Sequence, residues 1–239
     1  MSRIVLIHGS VADGPTAWSS QVPLEDSYEV VILERPGSRP GDDIEPMTYA
    51  DHAEWVASRL KRGDHVVGCS TGGIIAMLAA ASATADLGSL CVLEPPALSH
   101  AVDDADVARM STALQDVWTR RAAEPRDFLV EFFEAFAGEA PPLPSPLPPA
   151  LEHGARRLQL EQGPWEVVVP TAELAARRIP TMVMTGGWSA AMDAVAQTLA
   201  TELGATTQVK AGAGHDIQHA DRFNEALERF VSAASRDRR

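Results

Sequence analysis

The 239-residue chain is long enough for one substantial core, and 45% apolar with 22% charged residues is an ordinary globular composition. With 20 basic against 33 acidic side chains the net charge is −13, which argues against nucleic acid or an anionic membrane surface as a partner. No apolar run approaches the roughly twenty residues needed to cross a bilayer, and no basic-then-apolar leader opens the chain, so a cytoplasmic location is expected.

From the N-terminus, unbroken apolar runs at 3–8, 28–33, 65–70, 89–94, 180–185 and 206–210 read as strands buried on both faces. Helical periods lie between them at 49–62, 73–83, 192–203 and 221–234. Strand alternating with helix predicts an α/β fold, a doubly wound and mostly parallel sheet with right-handed crossovers. Such sheets gather their active residues at the carboxyl ends of the strands. His8, Ser70, Glu94, Thr185 and the loop carrying His215 would share that edge. Cys69 and Cys91 fall on neighbouring strands without metal-ligand spacing, which fits buried thiols in a reducing compartment rather than a disulfide.

The rhythm breaks between 100 and 178, where the pattern shows only two amphipathic helices and a proline-rich linker. Val107, Met110, Leu114, Val117 and Trp118 share one helical face; Phe128, Leu129, Phe132, Phe133 and Phe136 share another. The run from Pro141 to Pro149 is stiff and extended. The expectation is a helical cap at 100–178 over a core made of 1–99 and 179–239. An apolar cap face implies an apolar small-molecule compartment, with Phe128, Phe132 and Trp118 as its expected wall. Asp103, Asp104 and Asp106 read as helix capping rather than a metal cluster. The segment from Glu34 through Arg35 to Arg39 reads as loop structure. Gly186-Gly187 is a turn without the pattern of a phosphate cradle.

The chemistry centres on Gly68-Cys69-Ser70-Thr71-Gly72, which follows an apolar strand and opens a helix. That context puts Ser70 at the tip of a strained turn, with glycines where a Cβ would strike neighbouring backbone. A serine hydroxyl attacks a carbonyl only when a positioned base takes its proton. Of seven histidines, His215 has the suitable setting, because Gly212-Ala213-Gly214-His215 follows the last strand in a small-residue loop. His219 is the near alternative, in or beside the final helix.

These segments, with His8-Gly9-Ser10 and Leu93-Glu94-Pro95-Pro96, resemble the α/β-hydrolase fold family over nearly the whole chain. The likeness is to short bacterial members whose sheet begins at the His-Gly strand. It implies a Ser-His-acid triad, hydrolysis of an ester, thioester or lactone, and no metal or organic cofactor. It also implies an oxyanion hole from the backbone N–H groups of Ser10 and Thr71. The family's usual Asp, in a Gly-x-x-Asp stretch, is replaced here by Ser189 in Gly186-Gly187-Trp188-Ser189. Glu94, ending the strand after the nucleophile, is the favoured acid, with Asp193 or a simple dyad as alternatives.

The leading expectation is therefore a serine hydrolase for a small, mostly apolar metabolite, with Ser70, His215 and Glu94 as catalytic residues. A non-hydrolytic acyltransferase, cyclase or lyase on the same site is the second reading, and a non-catalytic small-molecule binder the third. Self-association as a homodimer stays open.

Overall fold

The computed structural model describes residues 1–236. Its sheet contains β1 (Arg3–Ile7), β2 (Glu29–Leu33), β3 (His65–Cys69), β4 (Ser89–Leu93), β5 (Thr181–Thr185) and β6 (Thr206–Val209). The spatial order is β2-β1-β3-β4-β5-β6, and every neighbouring pair is parallel. All residues of β3 and β4 are buried, as a parallel sheet covered on both faces requires. Along β1 the side chains alternate: Ile4 and Leu6 pack with Trp18, Phe223, Leu227 and Val231, while Val5 and Ile7 pack with Ile74, Ile75 and Val56. The direction of strand addition reverses between β1 and β3, so a crevice opens beyond their carboxyl ends. The register Ile7↔Gly68 brings the segment after β1 alongside the turn after β3.

The helices are α1 (Gly14–Ala17), α2 (Tyr49–Ala57), α3 (Thr71–Ser82), α4 (Ala105–Arg120), α5 (Pro125–Ala137), α6 (Pro149–Leu160), α7 (Thr171–Ala176), α8 (Ala190–Leu203) and α9 (Phe223–Arg236). Thr48 and Asp51 start α2 with a reciprocal capping box. That helix stops at Ala57, short of the expected residue 62, and the chain turns before β3. α3 is apolar on every side and runs through the core, its first two turns wholly buried. Asp104 caps α4 by accepting from the backbone N–H groups of Asp106 and Val107, which gives the acidic run there its structural role. Pro125 begins α5 and Gly138, at φ 85°, ends it.

The stretch between β4 and β5 holds more structure than its sequence pattern suggested. Beyond the proline run the chain forms α6, with Leu151, Ala155 and Leu158 on one face. Pro149 sits at the first helical position, where a missing N–H costs nothing, so the same prolines that stiffen the linker also start the helix. Among the described residues no helix is long and apolar enough to cross a membrane, and no group of three His, Cys, Asp or Glu could hold a metal ion. Cys69 and Cys91 are both free and buried, and burial pushes both thiols upward, that of Cys69 to about 12.

Candidate active site

β3 ends at Cys69 and α3 begins at Thr71, so one residue makes the whole reversal. Ser70 does so at φ 53° and ψ −132°, a region that side-chain-bearing residues rarely adopt. Two backbone bonds hold it there: its N–H donates to Leu93 at 2.8 Å, and its carbonyl accepts from Gly73 at 2.8 Å. A Cβ on Gly68 would run into the Gly72 carbonyl, and one on Gly72 into the carbonyls of Ile7 and His8. Gly9 lies against the turn on the other side, less tightly, where a Cβ would sit 3.0 Å from the Ser70 Cβ. Glycine is therefore required by close approach rather than by φ at these positions.

Glu94 follows β4 at φ 48° with its side chain fully buried. Its Oε1 accepts the Gly186 N–H at 2.5 Å, and its Oε2 accepts the Trp188 indole N–H at 3.1 Å. The Nδ1 of His215 lies 3.4 Å from Oε2, at the long end of hydrogen-bonding range. The imidazole is boxed by aromatic rings, with Phe136 edge-on at 4.9 Å and Trp188 at 6.0 Å between centroids. Asp193 stands in the first turn of α8 and makes no hydrogen bond to His215 among the described residues. Ser189, in the place of the expected acid, caps α8 by accepting from Met192. His219 falls in a short turn before α9 and meets Ser20 at 2.8 Å.

Ser70 and His215 both line a cavity of about 550 Å³. Its outer wall is Leu114 and Trp118 from α4, Phe132, Phe133 and Phe136 from α5, and Trp188 from the core. Trp118 and Phe132 thus occupy the expected wall, but Phe128 does not. Phe128 is fully buried among Val117, Leu129, Leu147, Ala155 and Leu158, on the side of α5 that faces α6. The aromatic run is wide enough on its helix to serve two surfaces, and only the docking of α6 decides which residue faces which.

Polar groups interrupt the apolar lining on the core side. Ser10 and Thr71 line the cavity, their hydroxyls 2.7 Å apart, and the Ser10 hydroxyl donates to Oε2 of Glu161. Glu161 follows α6 and is ion-paired to the buried Arg35 at 2.9 Å. Arg157, buried on α6, lies 3.8 Å from Oε1 of Glu161, the oxygen that Arg35 meets. Burial pushes the Glu161 carboxyl up, but Arg35, then Arg157 and the Ser10 hydroxyl, outweigh it and leave it below its ordinary value. Burial and then the Arg35 charge bring Arg157 down to about 10, still cationic at neutral pH. Beneath them His8 is held far below its ordinary value by burial, Arg35 and Arg157. Its Nε2 accepts the Arg35 N–H at 3.1 Å, so its Nδ1 carries the proton and donates to the Gly9 carbonyl at 2.9 Å.

A family model described as the alpha/beta hydrolase family matches residues 4–227. The chain belongs to the α/β hydrolase family. Solved structures of similar fold include NosK from Streptomyces actuosus, at 22% identity and TM-score 0.66, covering 98% of each chain. An alpha/beta hydrolase from Sphaerobacter thermophilus DSM 20745 gives 25% identity and TM-score 0.67, covering 96% of this chain and 92% of its own. The carboxylesterase CesB from Bacillus subtilis gives 17% identity and TM-score 0.65, covering 97% and 84%. A search of curated protein sequences returned no match.

For this α/β hydrolase the sequence pattern passed over Arg35, Arg157, Glu161 and Trp188. Arg35 reads as part of an ordinary loop, yet it is 1% exposed. Arg157 and Glu161 carry one signal that could have found them: opposite charges four apart, beside the apolar face set by Leu151 and Leu158. Trp188 stands one residue before the missing acid, where an indole N–H could reach whatever carboxylate replaced it.

Proposed function

We propose that this α/β hydrolase is a serine hydrolase that cleaves an ester, thioester or lactone bond of a small, mostly apolar metabolite. The observation that carries the reading is the strained Ser70 opening onto the same cavity as His215, whose Nδ1 faces the buried Glu94. In this reading Ser70 Oγ attacks the acyl carbon while its proton passes to Nε2 of His215. The bond to the departing oxygen or sulfur then breaks as His215 returns that proton to it. Water, deprotonated by His215, cleaves the acyl-enzyme and restores Ser70. Glu94 holds Nδ1–H and balances the imidazolium charge. The N–H groups of Ser10 and Thr71 bind the oxyanion; neither amide finds an acceptor within the protein among the described residues. Residues 100–178 act as a cap over the core, and its aromatic wall selects apolar acyl groups.

Fluorophosphonate treatment followed by intact-mass measurement tests this directly. One adduct, lost in Ser70→Ala, is the expected result; an unmodified wild-type protein overturns the reading and favours a binder. The rings around His215 favour a second use of the same acyl-enzyme, transfer to an alcohol or amine in place of water. Product analysis with an added alcohol separates the two.

A further inference from the structure

The carbonyl of Gly9 is gripped from three sides. It accepts from Arg35 Nη1 at 2.9 Å, from Arg157 Nη2 at 3.1 Å and from His8 Nδ1 at 2.9 Å. That carbonyl belongs to the same peptide unit as the Ser10 N–H. A trans peptide is planar, so fixing its oxygen fixes the opposite direction of its N–H. Cations on the oxygen also polarise the unit and strengthen the N–H as a donor.

The side chains beyond this peptide form a second tie. A buried carboxylate can only accept, so the single Ser10 hydroxyl proton goes to Glu161. Thr71 must then be the donor in the 2.7 Å contact with Ser10. The chain Thr71 to Ser10 to Glu161 therefore joins the two residues whose N–H groups lack partners. Glu161 also pairs with both guanidiniums that hold the peptide's other end and offsets part of their charge.

Of these residues, Arg157 and Glu161 come from the helical insertion and the rest from the core. α6 reaches them because Gly154 has no side chain: a Cβ there would enter the Val11 carbonyl, one residue past Ser10. His153 adds a contact to the Gly37 carbonyl at 3.0 Å. We infer that Arg157 and Glu161 are positioning residues that hold the Gly9–Ser10 peptide with its N–H toward the cavity, so that oxyanion stabilisation depends on α6 being docked. This rests on the proposed hydrolase reading for its catalytic consequence, but the peptide's geometry can be read without turnover.

The test compares Arg157→Gln, Arg157→Lys and Glu161→Gln with wild type, using steady-state kinetics on a p-nitrophenyl ester and the Ser10 amide resonance in an NMR correlation spectrum. Arg157→Gln should lower kcat about 10- to 100-fold, short of losing a whole oxyanion donor, with KM within about 3-fold. The Ser10 amide resonance should move in the same variant. Arg157→Lys keeps the charge but not the fork, so it should lose less kcat and move Ser10 in the same direction. It carries the test if the Gln variant does not fold. Glu161→Gln should likewise lower kcat more than it raises KM. Wild-type kcat with an unmoved Ser10 resonance in either folded Arg157 variant overturns the inference. A wild-type protein inert to esters and to fluorophosphonate refutes the hydrolase reading instead, and the Ser10 resonance then still decides the positioning.

Discussion

The Trp188 indole N–H donates at 3.1 Å to Oε2 of Glu94, the oxygen that faces Nδ1 of His215. The segment where the family resemblance led to an expected Asp here supplies donors to Glu94, at the end of another strand. With Gly186 on Oε1, both carboxylate oxygens are occupied and the group is fixed toward the imidazole.

That relationship makes Glu94→Gln costly in a specific way. The substituted amide must turn its NH₂ toward one of two existing donors, and the charge opposite His215 is gone. Ester turnover should fall by about 10³- to 10⁴-fold, whereas Asp193→Asn should stay within about 2-fold. Comparable kinetics for the two variants would reassign the acid. Trp188→Phe removes one donor and should cost about 10-fold in kcat.

Ser70 stores backbone strain that its side chain does not relieve, since it caps nothing in α3. Ser70→Gly should therefore raise the thermal midpoint, by about 1 kcal/mol of stability once the glycine's extra unfolded-state entropy is counted. Ser70→Ala keeps the strain and should leave the midpoint near wild type. Both should abolish fluorophosphonate labelling. Calorimetry beside mass spectrometry checks the pair, and a Gly variant less stable than the Ala variant would contradict the strain account.

Phe132 and Phe128 lie on one helix but should behave oppositely. Phe132→Ala widens the cavity and should change the preference among p-nitrophenyl esters, which in wild type should rise from acetate to medium chains. Phe128→Ala leaves a void between α5 and α6 and should cost about 3–5 kcal/mol without changing that preference. Urea melts and a chain-length series distinguish them.

Acid should destabilise the fold before the carboxylates titrate. Burial, followed by Arg35, brings the His52 imidazole from its ordinary 6.5 down to about 3, and His8 is also lowered. Below pH about 6.5 the unfolded chain takes up protons that the folded chain refuses, so this stability is present above that pH and is lost as pH falls toward the folded values. Each such histidine contributes a loss of up to about 1.4 kcal/mol per pH unit in that window. His52→Gln, neutral throughout, should flatten the fall in urea midpoint between about pH 6.5 and 4. An unchanged slope would exclude His52 as a source.

Much of this protein is legible in its chain because the relevant forces are local. Apolar runs in β3 and β4 announce strands buried on both faces, and glycines around Ser70 announce a turn with no room for a Cβ. The Gly-x-Ser-x-Gly turn between the apolar run of β3 and the Ala-rich run after it marks where α3 begins, so the doubly wound sheet and the serine at the turn follow from neighbours in sequence. What the chain alone left open depends on contacts between distant segments. Glu94 reaches Gly186 and His215 across 92 and 121 residues, and Ser10 reaches Glu161 across 151. Whether Phe128 faces α6 or the cavity is decided by the α6 backbone seating on Val11 through Gly154. No periodicity encodes such pairings, because a buried carboxylate or guanidinium is stable only where folding has already delivered its partner.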